Sequence, residues 1–161
     1  MKAPKADKRQ APRNQARAAA RLAAVQALYQ HEMEATPLAR LLDEFHQHRL
    51  GMEIDPYSKA GETYAKAETA FFDDLVSGAL ARLGEIDALI AGRLAEGWKL
   101  ERLDRTMLQI LRAGTYELLA RADVPTGAAI GEYLDVAHAF FEPREAKFVN
   151  GVLDAVAKAV R

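Results

Sequence analysis

Arg13, Arg17 and Arg21 recur every fourth residue, a spacing that carries all three up one side of a helix. Guanidiniums aligned in this way could track a phosphate backbone. The same row continues through Val25 to Tyr29, whose ring could stack on a base, a combination used by proteins that bind single-stranded RNA. Periodicity alone fits equally well a row of cations that solvates a helix whose other face packs, with Tyr29 in the core. A second run, Lys147-Phe148-Val149-Asn150-Gly151-Val152-Leu153, is locally unfavourable at its centre. Glycine inside a helix costs about 1 kcal/mol relative to alanine, and asparagine is a weak helix former, so something other than propensity selects Asn150 and Gly151. Close backbone packing is the simple expectation for Gly151. Phe148 suits either a core or a base-stacking surface; the core is the first expectation for such a ring, while Lys147 beside it lends slight weight to the second.

The residues offer little for catalysis. His46 and His48 are two apart and would point to different faces of a helix, so they are expected to be solvated loop histidines rather than a metal clamp. Asp73 with Asp74, and Glu142 with Glu145, read as surface or capping carboxylates, since nothing aligns a reacting partner with them. Glycine-rich phosphate cradles are missing, and the absence of cysteine rules out disulfides, thiol nucleophiles and cysteine-ligated metals. The expectation is a protein that is not an enzyme and takes no cofactor or metal. No apolar stretch approaches the roughly 18 residues of a membrane span, and the basic N-terminus lacks the apolar core of a signal peptide, so the chain is expected to be cytoplasmic. The net charge of −1 hides an asymmetry: residues 1 to 21 sum to +6 and the remainder to −7. A basic end of this kind suits a polyanionic partner, and equally a merely solubilising tail.

The elements that must position these residues are helices. Residues 1–12 have no apolar periodicity and are expected to form a disordered basic arm, with a single all-helical RNA-binding domain over residues 13–161. A first helix runs from Arg13 to about Met33. Thr36 as N-cap and Pro37 at the first helical position open a second, which carries Leu38, Leu41, Leu42 and Phe45. Residues 46–66 read as a long, mobile connection or insertion. Stripes from Phe72 to Leu83 and from Ile86 to Leu94 are expected to stop at Gly84 and Gly97. Leu103 to Leu118 reads as the longest helix, with Gly114 at a close helix contact. Two further stripes run from Ile130 to Phe141 and from Val149 to Val160. The fold class is all-α, with about seven helices.

Together these segments resemble the NusB family. Its first helix reads like Ala20-Arg21, Ala24 and Gln26-Ala27-Leu28-Tyr29, and its last like Lys147 through Leu153. Between them, Trp98 to Leu103, Ile110 to Arg112, Tyr116 to Leu118, Val124-Pro125, and Ala129-Ile130 with Glu132 follow in the family's order. The likeness spans roughly residues 13 to 156. It implies two three-helix bundles plus an additional helix, and a transcription antitermination factor. Such a factor binds the boxA element in leader RNA of ribosomal operons jointly with the small-subunit ribosomal protein NusE, and helps RNA polymerase resist termination. Carried over by position, Arg17, Arg21, Lys147 and Phe148 would touch RNA, with Arg13 as an addition, and Tyr29 and Glu101 would lie near the protein partner. Ala18, Ala19 and Ala20 stand where the family often clusters arginines, so Lys8 and Arg9 are candidates to supply that charge.

Two other functions fit the same helices. The RNA-binding domain of a ribosomal-RNA cytosine methyltransferase is NusB-like, but that enzyme needs a catalytic domain, for which about ten residues after Leu153 leave no room. A structural helical oligomer with an incidental basic arm is the other.

Overall fold

The computed structural model describes residues 10–50 and 59–161. Among these, seven α-helices and one 3-10 turn follow one another with no strand. They are α1 (Gln10–Glu34), α2 (Leu38–His48), α3 (Lys59–Ala81), α4 (Leu83–Ala91), the turn Leu100–Arg102, α5 (Arg105–Ala120), α6 (Thr126–Phe140) and α7 (Pro143–Val160). Helices α1, α2 and α3 pack as one bundle and α5, α6 and α7 as another, with α4 bridging α3, α5 and α7. This is the expected pair of three-helix bundles with an additional helix.

The bundles join where α1 lies along α5. The inward face of α1 is mostly alanine, with Ala16, Ala20, Ala23, Ala24 and Ala27 all buried, and such short side chains let α1 seat closely on α3 and α5. Helix α5 sits at the centre. Every residue from Met107 to Leu118 is buried, including Gln109, Arg112 and Glu117. Arg112 is held by both carboxylate oxygens of Asp87 on α4, at 2.9 Å each, and by Glu32 of α1 at 3.4 Å. Gly114 lets α6 and α7 approach: a Cβ there would stand 3.0 Å from Leu153 and 3.3 Å from Tyr133. This is the close helix contact expected at that position. None of the helices is long and apolar enough to cross a membrane, among the described residues.

The structure moves several boundaries. Helix α1 starts at Gln10, three residues before Arg13, because Pro12 falls in the first turn, where a missing N–H costs no intrahelical hydrogen bond. Residues 1–9 lie outside the described residues. Thr36 does not cap α2; Pro37 takes the cap position, and Thr36 Oγ1 instead accepts from Gln30 at 3.4 Å. The interruption expected over 46–66 is narrower, since α2 runs to His48 and α3 begins at Lys59. Residues 51–58 are outside the described set. His46 is not a solvated loop histidine: it stands on α2, paired with Asp73 of α3. Gly84 does not stop a helix but lies inside α4, the break falling at Arg82 (φ −113°, ψ 22°). Gly97 is in the left-handed region at φ +86°, yet it shapes the turn before Trp98 rather than the end of α4, which comes at Ala91. Among the described residues the longest helix is α1 with 25 residues, whereas α5 has 16.

At the far end of α7, Arg161 reaches back over the C-terminus of α5. It donates to the carbonyls of Leu118 (2.8 Å), Arg121 (2.7 Å) and Val124 (2.7 Å) and to Thr126 Oγ1 (3.1 Å). Helix ends leave such carbonyls without intrahelical donors, and here one side chain supplies several of them.

Candidate nucleic-acid and partner interface

Arg17 and Arg21 share a face of α1, as their spacing requires, but that face is not an open track. Helix α1 is enclosed there by α3, α5 and α6. Arg21 is only 4% exposed and grips Glu117, itself fully buried, with Nε at 2.9 Å and Nη2 at 2.8 Å. Tyr133 donates its hydroxyl to the same carboxylate at 3.0 Å, and Glu132 lies 3.6 Å from the guanidinium. Burial alone would pull the Arg21 guanidinium down, but the hydrogen bond and charge of Glu117, reinforced by Tyr133 and Glu132, outweigh it and raise its pKa. Arg21 is therefore a structural cation, and the expectation that it faces RNA is corrected on that ground.

Arg17 is partly accessible at 19%, lies over the ring of Phe71 at 4.7 Å and pairs with Asp123 at 3.4 Å. Arg21 and Arg121 stand over the same ring, each at 5.0 Å. Arg13 belongs to α1, but its side chain lies outside the described residues. Val25, next along the row, is buried, and only at Tyr29 does the row return to solvent.

Helix α7 divides its residues as the sequence suggests. Val149, Val152, Leu153 and Val156 enter the core, while Lys147, Asn150 and Gly151 face solvent. A Cβ on Gly151 would meet nothing within 4 Å, so close packing does not explain this glycine, contrary to the sequence expectation. Phe148 is half-buried against Trp98, with ring centroids 6.3 Å apart. Helix α1 packs chiefly on α3 and α5, and helix α7 on α5 and α6, rather than on each other. Moreover, Glu117, the partner of Arg21, is near the C-terminal end of α5, and Asp123, the partner of Arg17, is in the turn just beyond it, whereas Trp98 precedes the start of α5. The structure thus brings Lys147 and Phe148 together but does not place Arg21 in one exposed patch with them. Trp98 is the residue whose possible role the sequence reading passed over. Its signal was present: an unpaired aromatic after a glycine, next to Lys99.

Tyr29 is 39% exposed and borders a surface groove with Met33, Phe45, Arg49, Thr106 and Phe140. Glu101 is exposed on the 3-10 turn, and its carbonyl accepts from Arg105, which also reaches Glu32 of α1 at 3.4 Å. Tyr29 and Glu101 therefore belong to the same end of the α1–α5 pair, as a shared partner would need. Met107 and Leu108, one turn further along α5, are buried and take no part in that surface.

At the opposite end of the α1–α5 pair, burial and the Asp74 carboxylate, 2.7 Å away, push the Tyr116 hydroxyl up to about 12. Burial and the charge of Glu117 raise Tyr133 well above the ordinary 10.0. Both phenols are held neutral by the fold, so their contribution is complete below about pH 10; that of Tyr116 is lost as pH rises from there toward about 12, and Tyr133, raised in the same direction, adds to the alkaline loss. Thermal unfolding followed by circular dichroism should show a melting temperature that declines over this alkaline window, and less steeply in Tyr116→Phe. A melting temperature unchanged up to about pH 12 would contradict this. Among the described residues, no group of three or more His, Asp or Glu could hold a metal ion.

Residues 18–158 match the NusB family. The transcription antitermination protein NusB of Novosphingobium aromaticivorans is 71% identical over 146 residues, covering 91% of this chain and 95% of that protein. Its counterpart in Sphingopyxis alaskensis is 65% identical over 149 residues, covering 92% and 97%. Among solved structures, NusB of T. maritima aligns with a TM-score of 0.71 at 33% identity, over 98% of this chain and 93% of that one. A crystal structure of the antitermination factors NusB and NusE in complex with dsRNA aligns with a TM-score of 0.69 at 28% identity, over 90% and 98%. With the family matched over nearly all of the described helices and such identity along almost the whole length, the chain belongs to the NusB family.

Proposed function

We propose that this chain is a transcription antitermination factor that binds boxA-type leader RNA of ribosomal operons together with the ribosomal protein NusE, and so helps RNA polymerase resist termination. The observation that carries the reading is the solvent face of α7. Lys147, Asn150 and Gly151 are outward, the last two are unfavourable for a helix, no close packing accounts for Gly151, and all three adjoin a half-buried aromatic at Phe148. Lys147, Phe148 and Arg17 contact RNA, Arg13 adds to them, and Tyr29 with Glu101 faces NusE; Arg21 holds the fold beneath. The solved complex of NusB and NusE with dsRNA, at 28% identity, supports partners of these two kinds. The factor works in the cytoplasm as a non-enzymatic protein, in keeping with the antitermination role for which its relatives are named.

Titrating a boxA-like RNA at two salt concentrations, with and without NusE, tests this. Affinity should fall as salt rises, because phosphate contacts release counterions, and Lys147→Ala should make the logarithmic dependence shallower by about 1. NusE should tighten binding. Salt-independent binding would count against phosphate contacts, and no binding even with NusE present would remove the reading. Charge reversal at Arg21 is unsuitable as a test, since it would place two carboxylates in one buried site.

A further inference from the structure

The cations of this chain are unevenly engaged. Arg17, Arg21, Arg105, Arg112 and Arg121 each pair with a carboxylate, and Arg161 with carbonyls. By contrast, Arg93, Lys99 and Arg102, which flank Trp98 in sequence, and Arg144 and Lys147, which precede Phe148 on α7, take part in no ion pair among the described residues. Contact between the Trp98 and Phe148 rings joins these two runs of sequence. Trp98 is 57% exposed, the most exposed large hydrophobic among the described residues, and lies tilted by 40° against Phe148. The left-handed Gly97 and the extended backbone of Lys99 fix it between α4 and the 3-10 turn. An exposed ring packed on a second one, with unpaired cations close to each in sequence, suits a polyanion with flat faces.

From this we infer that Trp98 is a base-stacking platform for single-stranded RNA, continuing the Lys147–Phe148 contact away from α1 toward Lys99 and Arg102. The inference rests on the RNA-binding reading above and adds a residue and a direction to it. The RNA crosses the α4–α7 end of the molecule, one base lying on the indole while Lys99 and Lys147 neutralise neighbouring phosphates.

Trp98 is the sole tryptophan, so intrinsic fluorescence reports on it alone. Adding boxA-like single-stranded RNA should quench its emission, saturating at the RNA concentration that saturates the anisotropy of a labelled copy. Trp98→Ala should lower affinity about 10-fold or more and Trp98→Phe much less, as expected for stacking. Both variants should melt like the parent, because the side chain is largely outside the core. RNA binding with unchanged emission and unchanged affinity in Trp98→Ala overturns the inference and leaves the RNA-binding reading intact. Equal quenching by inorganic polyphosphate, which has no bases, overturns it too, as does emission that responds to NusE and not to RNA. Absence of RNA binding overturns both.

Discussion

Replacing Glu117 with alanine is expected to destabilise the protein by about 3–5 kcal/mol, the range for removing one partner of a buried ion pair. The reason is what stays behind. Arg21 would retain its charge in a site 4% exposed, with Glu132 at 3.6 Å as its nearest remaining carboxylate, and Tyr133 would lose the acceptor of its hydroxyl. Glu117→Gln keeps hydrogen-bonding atoms and loses the charge, so it should fall between parent and alanine. Replacing both partners by apolar residues of similar size, Arg21→Met with Glu117→Leu, should recover much of the loss, because no buried charge then lacks a partner. Chemical denaturation of the four proteins measures these differences. If Glu117→Ala were as stable as the parent, the pair would not be sealed as described, and Arg21 could again be considered as an RNA contact.

Gly78→Ala should destabilise the chain by about 1–3 kcal/mol through overpacking, with the loss of a hydrogen bond to a carboxylate in addition. A Cβ at Gly78 would stand 2.1 Å from both the Cζ and the hydroxyl oxygen of Tyr116. That ring has little freedom to yield, since it is buried on α5 and its hydroxyl is tied to Asp74. Helices α3 and α5 would have to separate or Tyr116 would have to abandon Asp74. A double variant, Gly78→Ala with Tyr116→Leu, should cost less than the two single losses added together, because the collision exists only when both side chains are present. Strict additivity in denaturant melts would place the cost elsewhere than in this contact.

These two sites also mark the limit of what the sequence revealed. The helices were legible because apolar residues repeat every three or four positions, and α7 shows why this works: Val149, Val152, Leu153 and Val156 are all in the core. Gly114 was readable as a close approach for the same reason. The arginine row was ambiguous in principle. Its spacing says that Arg17 and Arg21 share a face, but not that α3, α5 and α6 cover that face, and the partner that makes Arg21 structural is 96 residues away. A hint did exist in Glu117, a carboxylate between Tyr116 and Leu118 in a helix otherwise built for the interior, which requires a buried cation from somewhere. Gly84 and Gly151 show the converse error: a glycine in a helical pattern suggests a stop or a tight contact, yet both have open space around them. Trp98 stood in the quoted run without a role, since exposure is a property of the folded chain and not of spacing.

The grip of Arg161 on α5 couples two places that would otherwise loosen independently. Final turns usually fray, and corners between helices usually breathe, but here neither can open without stripping hydrogen bonds from the other. The tail of α7 and the corner between α5 and α6 therefore belong to one cooperative unit, braced on the side of the molecule remote from Trp98.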